Sequence, residues 1–106
     1  MSIHNVLEQA VAAQQAGAFS DAIRLYGLVL NDQPTNAVAN YNLGVLSAGM
    51  EDFETALILF RNAIDANAEE KQYWLSYIDT LLRAGRLEDA RRIKEEASAR
   101  GIIASE

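Results

Sequence analysis

The chain repeats itself every 34 residues, and a period of that length leaves few folds open to it. Phe19–Tyr26 reads FSDAIRLY, Phe53–Phe60 reads FETALILF, and Leu87–Lys94 reads LEDARRIK. Stacked at that offset, Ala22, Ala56 and Ala90 coincide, as do Phe19, Phe53 and Leu87. Tyr26 meets Phe60 and Lys94, and Val29 meets Ala63 and Ala97. Upstream, Val6 falls with Asn40 and Trp74, Gln9 with Leu43 and Tyr77, and Ala10 with Gly44 and Ile78. The register runs without insertion through nearly the whole chain.

Within each unit, apolar residues recur at spacings of three and four, which is helical. The first unit gives Val6, Ala10 and Ala13, then Phe19, Ala22, Ile23, Tyr26, Val29 and Leu30. The spacing predicts helices over 3–15, 19–32, 37–49, 53–66, 71–84 and 87–100. Turn signals separate them at Gly17, at Gln33-Pro34-Thr35-Asn36, and at Gly49, Asn67 and Gly85. Gly101 follows the last helix, with Ile102 placed for the apolar contact of a glycine cap. No stretch alternates with period two, so the fold class is all-α. The small residues explain the interval. Ala22, Ala56 and Ala90 are expected where the second helix of a unit crosses the first, facing Ala10 and Gly44. One helix pair cannot bury both its faces, whereas stacked pairs can.

These residues resemble the tetratricopeptide repeat family, whose pattern is Trp-x₂-Leu-Gly-x₂-Tyr, then Ala-x₃-Phe, then Pro. Leu43, Gly44, Ala56 and Phe60 match in the second unit, which departs at Asn40 and Ser47. Ala22, Tyr26 and Pro34 match in the first, and Trp74 and Ala90 in the third. The resemblance implies three antiparallel helix pairs stacked as a short right-handed superhelix. It implies one domain over 1–106, with repeats at about 3–36, 37–70 and 71–104. The stretch QYWLSYIDTLLRAGRLEDARRI is also similar to repeat tracts that precede glycosyltransferase or methyltransferase domains in bacterial proteins.

Charge narrows the partners. The 106 residues carry a formal net charge of −6, with a pI near 4.7. Nucleic-acid affinity comes mostly from clustered Lys and Arg, so no nucleic-acid partner is expected. The chain has no cysteine, which excludes disulfides and thiol chemistry. The first Lys or Arg is Arg24, so a signal peptide's charged start is not expected, and no apolar run reaches the ~18 residues of a membrane span. A cytoplasmic domain without membrane insertion is the expectation.

No catalytic constellation assembles. His4 is the one histidine and has no partner set for metal or nucleophilic work. Asp65, Glu69 and Glu70 lack the spacing of a calcium loop. Glu69 and Glu70 suit the positive start of the next helix. Asp79 beside Tyr77 and Thr80 lacks an orienting third group. Trp74 and the other aromatics fall on the core face. No cofactor and no enzymatic activity are expected.

What remains is a surface. The resemblance implies that the first helix of each unit lines a concave groove. It places Leu7 and Val11 there from the first unit, Val38, Tyr41, Asn42 and Val45 from the second, and Leu75, Asp79, Leu82 and Arg83 from the third. Relatives that clamp a peptide's terminal carboxylate use Lys, Asn and Arg. Of those positions only Asn42 matches, with Leu7, Val11, Gln72 and Ser76 at the others, so that clamp is not expected. An apolar groove with Glu8 and Asp79 in it suits an apolar or mildly basic protein segment.

The third phrase turns charged where the earlier ones are apolar, with Lys94 in place of Tyr26 and Phe60. That suits a terminal unit meeting water. Pairs are expected at Glu88–Arg92, Arg91–Glu95, Arg92–Glu96 and Glu96–Arg100. Ile93, Ile102 and Ile103 near that face, with an acidic middle unit and a basic last one, point to weak self-association, a homodimer being the commonest form.

Overall fold

The computed structural model describes residues 2–104. Six helices follow one another: α1 (Ile3–Gln15), α2 (Phe19–Asp32), α3 (Ala37–Gly49), α4 (Phe53–Ala66), α5 (Lys71–Arg83) and α6 (Leu87–Ala99). The ends of α5 and α6 fall one residue short of the sequence prediction. The helices pack as three pairs in a row, giving a body of 46 × 25 × 21 Å.

The pairs turn in one repeated way. After α1, α3, α5 and α6 a residue in the left-handed conformation reverses the chain, at Gly17 (φ 77°), Glu51 (φ 61°), Gly85 (φ 77°) and Gly101 (φ 75°). The amide of the next residue then bonds back to the helix: Ala18 N to Ala13 O at 2.8 Å, and Asp52 N to Ser47 O, Arg86 N to Leu81 O and Ile102 N to Ala97 O at 2.9 Å each. These are Schellman caps, which satisfy carbonyls the helix ends leave open. The second turn differs from the sequence prediction. Gly49 is the last residue of α3, and Glu51 takes the left-handed position that glycine holds elsewhere. Ser2, Asn36 and Asp52 cap the starts of α1, α3 and α4, accepting from Asn5 N, Ala39 N and Thr55 N.

The crossings lie where small residues recur. Ala10, Ala22 and Ala56 are fully buried, and Ala90 nearly so. Gly44 leaves no room for a side chain: a Cβ there would stand 2.7 Å from Cε1 and 2.8 Å from Cδ1 of the Phe60 ring. The Trp74 position solves one problem with two side chains. Trp74 Nε1 donates to Ala68 O at 2.8 Å, and Asn40 Nδ2, one repeat earlier, donates to Pro34 O at 3.0 Å. Asn40 also accepts from Asn62 Nδ2 at 3.4 Å, so its buried amide is satisfied.

Three sequence expectations change. Phe19 and Leu87 are exposed, each at the first position of its helix. Ile93 lies 1% exposed inside the third core, and Ile102 and Ile103 pack partly against the same core. Ile93 therefore adds nothing to an outer surface. On α6, Arg91–Glu95 (2.9 Å) and Arg100–Glu96 (3.0 Å) pair as the spacing suggests. Glu88, however, reaches Arg91 at 2.8 Å, and Arg92 reaches Asp89 at 3.2 Å. Three-residue partners are equally close on a helix, and rotamers choose between them.

Candidate interaction groove

Residues seven apart on a helix return to nearly the same face. Val38 and Val45 on α3, and Leu75 and Leu82 on α5, are such pairs, and all four are exposed. Between α3 and α5 lies a cleft of about 490 Å³. Val45, Ala48 and Gly49 form one wall, Leu75, Ser76, Asp79 and Arg83 the other, and Phe60 and Thr80 reach it from below. Phe60, Ala48 and Thr80 escape a reading based on one helix face. They border the cleft only because α4 and the C-terminal half of α3 pack against α5.

The remaining groove candidates sit differently. Leu7 and Val11 are half-buried and pack on the core of the first pair. Tyr41 is a joint between the second and third pairs. Its ring stacks on Tyr73 with centroids 4.7 Å apart, lies 5.5 Å from Phe60, and its hydroxyl bonds Ser76 Oγ at 2.8 Å. Burial, then the nearby Glu70 charge and Tyr41, hold the Tyr73 hydroxyl above its usual pKa. Asn42 is half-buried and hydrogen-bonded to the Tyr26 hydroxyl, which itself donates to Gln14 Oε1 at 2.5 Å. Asn42 thus ties α3 to α2.

The groove's charges are partly spent. Asp79 is exposed, with Arg83 Nη1 4.0 Å away. The Arg83 guanidinium lies 5.2 Å from the centre of the Phe53 ring, and its Nη2 donates to Ala48 O at 3.4 Å. Arg83 therefore covers Phe53 and the end of α3 more than it reaches into the groove. Its cover is why Phe53 is half-buried while Phe19, one repeat earlier, is 54% exposed. A second cavity of about 430 Å³ opens beside Phe19, between the end of α1 and the end of α3.

His4 Nε2 lies 2.7 Å from Glu8, with both side chains exposed. No group of three or more His, Asp or Glu residues that could hold a metal forms among the described residues. No helix among them is long and apolar enough to cross a membrane.

No protein-family model matches the chain, and no curated protein matches it. Solved structures do. A mutant of the Thermobaculum terrenum O-GlcNAc transferase superposes with TM-score 0.81 at 26% identity, covering 92% of this chain and 19% of that one. This chain thus spans about a fifth of that enzyme's length. A mutant MamA matches with TM-score 0.83 at 18% identity, covering 97% of this chain and 74% of that one. The first TPR of Spaghetti (RPAP3), bound to the HSP90 peptide SRMEEVD, matches with TM-score 0.81 at 18% identity, covering 92% and 77%. Three helix pairs with recurrent small crossings, one repeated turn and these likenesses give the chain a tetratricopeptide-repeat fold of three repeats.

Proposed function

We propose that the chain is a non-catalytic, cytoplasmic protein-interaction module, one domain of three repeats, that takes a protein segment along the groove between α3 and α5. The carrying observation is the 490 Å³ cleft bordered by the exposed Val45 and Leu75, with Val38 and Leu82 exposed on the same two helices. Water-exposed apolar side chains stabilise nothing in the free chain and lose that cost on contact. Two RPAP3 repeat domains similar in fold hold an HSP90 peptide, which supports segment binding as a use of this architecture. The ligand here is of another kind. Neither α1 nor α3 carries Lys or Arg, Glu8 and Asp79 face outward, and Arg83 is engaged on Phe53. The one cation among the cleft's lining residues, Arg83, lies over Phe53 and beside Asp79, so an acidic peptide gains little there, whereas an apolar or mildly basic one fits. Asn42 supports the α3 wall from behind.

Capture from an extract with the wild-type chain, Val45→Glu/Leu75→Glu, and the outer-face control Ile58→Glu tests this reading. Both target residues are more than a third exposed, so both variants should keep the helical circular-dichroism signal. The reading predicts loss of the partner in the double variant alone. Retention there, in a folded protein, would remove the groove as the site.

A second reading keeps the same surface but makes the chain the substrate-recognition tract of a bacterial glycosyltransferase- or methyltransferase-type enzyme. The 26% identity to an O-GlcNAc transferase favours it. A reading frame continuing past Glu106 into a catalytic domain would support it.

A further inference from the structure

The two junctions between repeats can be compared residue by residue, because the register is strict. Arg83 at the second junction corresponds to Gly49 at the first, Phe53 to Phe19, and Ala48 to Gln14. At the second junction the Arg83 guanidinium lies over the Phe53 ring at 5.2 Å and donates to Ala48 O, a carbonyl in the last turn of α3. That carbonyl also accepts the Glu51 amide of the turn. At the first junction the same scaffold is present. Phe19 opens α2 as Phe53 opens α4, and Gln14 O in the last turn of α1 accepts the Gly17 amide as Ala48 O accepts that of Glu51. The covering cation is missing, since Gly49 has no side chain to supply it, and the apolar Val45, Leu46 and Met50 stand where Asp79, Thr80 and Ala84 stand one repeat later. A cavity of about 430 Å³ occupies the cation's place, bordered by Gln14, Phe19 and Gly49, with Ile23, Leu46 and Met50 around them.

We propose that this cavity receives an arginine side chain from a partner protein, held as Arg83 is held one repeat later. The Phe19 face offers a cation–π surface. The carbonyl end of α1 carries the negative end of the helix dipole. A carbonyl oxygen has a second lone pair after the turn amide has taken one. The exposed methylenes of an arginine match Ile23, Leu46 and the 59%-exposed Met50. No Lys or Arg of α1 or α3 competes for the place, and the chain's charge of −6 favours a cation. The proposal does not depend on the α3–α5 groove binding anything, although Val45 and Gly49 border both spaces.

NMR titration of the wild-type chain with N-acetyl-arginine amide and with N-acetyl-leucine amide tests it. Saturable shifts are expected for the Phe19 ring, the Met50 methyl and the Gly17 and Ala18 amides with the arginine derivative, and much weaker ones with the leucine derivative. Gly49→Arg should abolish them by filling the cavity from within. A Cβ at Gly49 meets nothing within 4 Å, so that variant has room to fold. Phe19→Ala should weaken binding about two- to fivefold, the range of an exposed cation–π contact. Leu75→Glu, on the far wall of the groove, should leave the titration unchanged. Equal or stronger binding of the leucine derivative, no saturable shift with arginine, or unchanged binding in Gly49→Arg would each overturn the proposal.

Discussion

Replacing Gly44 by alanine should destabilise the chain, although alanine is the better helix former. The added Cβ would stand 2.7, 2.8 and 3.2 Å from Cε1, Cδ1 and Cζ of Phe60. Carbon atoms in good contact sit about 3.5–4.0 Å apart, so the ring must move by roughly 0.8 Å. It has little freedom to do so. Phe60 is 1% exposed, and Tyr41, itself stacked on Tyr73, leans on it at 5.5 Å. Overpacking of this kind costs about 1–3 kcal/mol. Helix propensity returns about 1 kcal/mol. Gly27 supplies the control, since it lies exposed within α2 and a Cβ there meets nothing within 4 Å. Gly27→Ala should therefore raise stability by about 1 kcal/mol. Urea unfolding of both variants isolates the steric cost as the difference between them, about 1–3 kcal/mol. Phe60→Leu, which shortens the ring side chain, should make Gly44→Ala less costly in its background. Equal midpoints for Gly44→Ala and Gly27→Ala would refute the claimed tight crossing of α3 and α4.

Other consequences can be measured separately. Glu51→Gly should stabilise by about 1 kcal/mol in urea melts, because Glu51 holds a left-handed φ of 61° where three other turns use glycine. Ala68→Pro, copying Pro34 one repeat earlier, should stabilise the chain by about 0.4–1 kcal/mol in the same melts. Burial holds the Tyr26 hydroxyl above its usual pKa despite the Asn42 hydrogen bond. The folded chain thus keeps that proton more tightly than the unfolded one. Stability from this source is complete below about pH 10 and lost as pH rises through the folded value, and Tyr26→Phe should shrink that alkaline loss in melts. Hydrogen bonds from Arg92 and Arg86 hold the Asp89 carboxyl below its usual range. Stability from it is present above about pH 4 and lost as pH falls through the folded value, and Asp89→Asn should flatten that acid limb.

The helices were legible in the sequence to within a residue, because the 34-residue period repeats both the apolar spacing and the terminators. The turn after α3 was not, because glutamate hides a left-handed position that glycine would advertise. The same period misplaced Phe19 and Leu87, since an apolar residue at the first position of a helix looks like core from spacing alone. For the groove, the family resemblance picked out Val45 and Leu75, which border the cleft, and Val38 and Leu82, exposed on the same two helices. It could not show that Tyr41 and Asn42 spend their polar groups on Ser76 and Tyr26. Long side chains choose between groove and neighbour by reach, and reach depends on the stacking of pairs. For that reason Tyr41→Ala, natural as a groove probe from sequence, would also break the joint between the second and third repeats. Arg83 was likewise read as a groove cation, and its place over Phe53 became visible only with α4 in position.

Photo-crosslinking tests the central claim, that the groove between α3 and α5 meets a protein segment, most directly. A photoreactive residue placed at Leu75 faces the groove, and one at Ile58, 64% exposed on α4, faces away from it. Illumination in extract is predicted to join a discrete partner to the Leu75 site and none to the Ile58 site. Val45→Glu in the same chain should remove the product. A partner joined equally at both positions, or at Ile58 alone, would contradict the account.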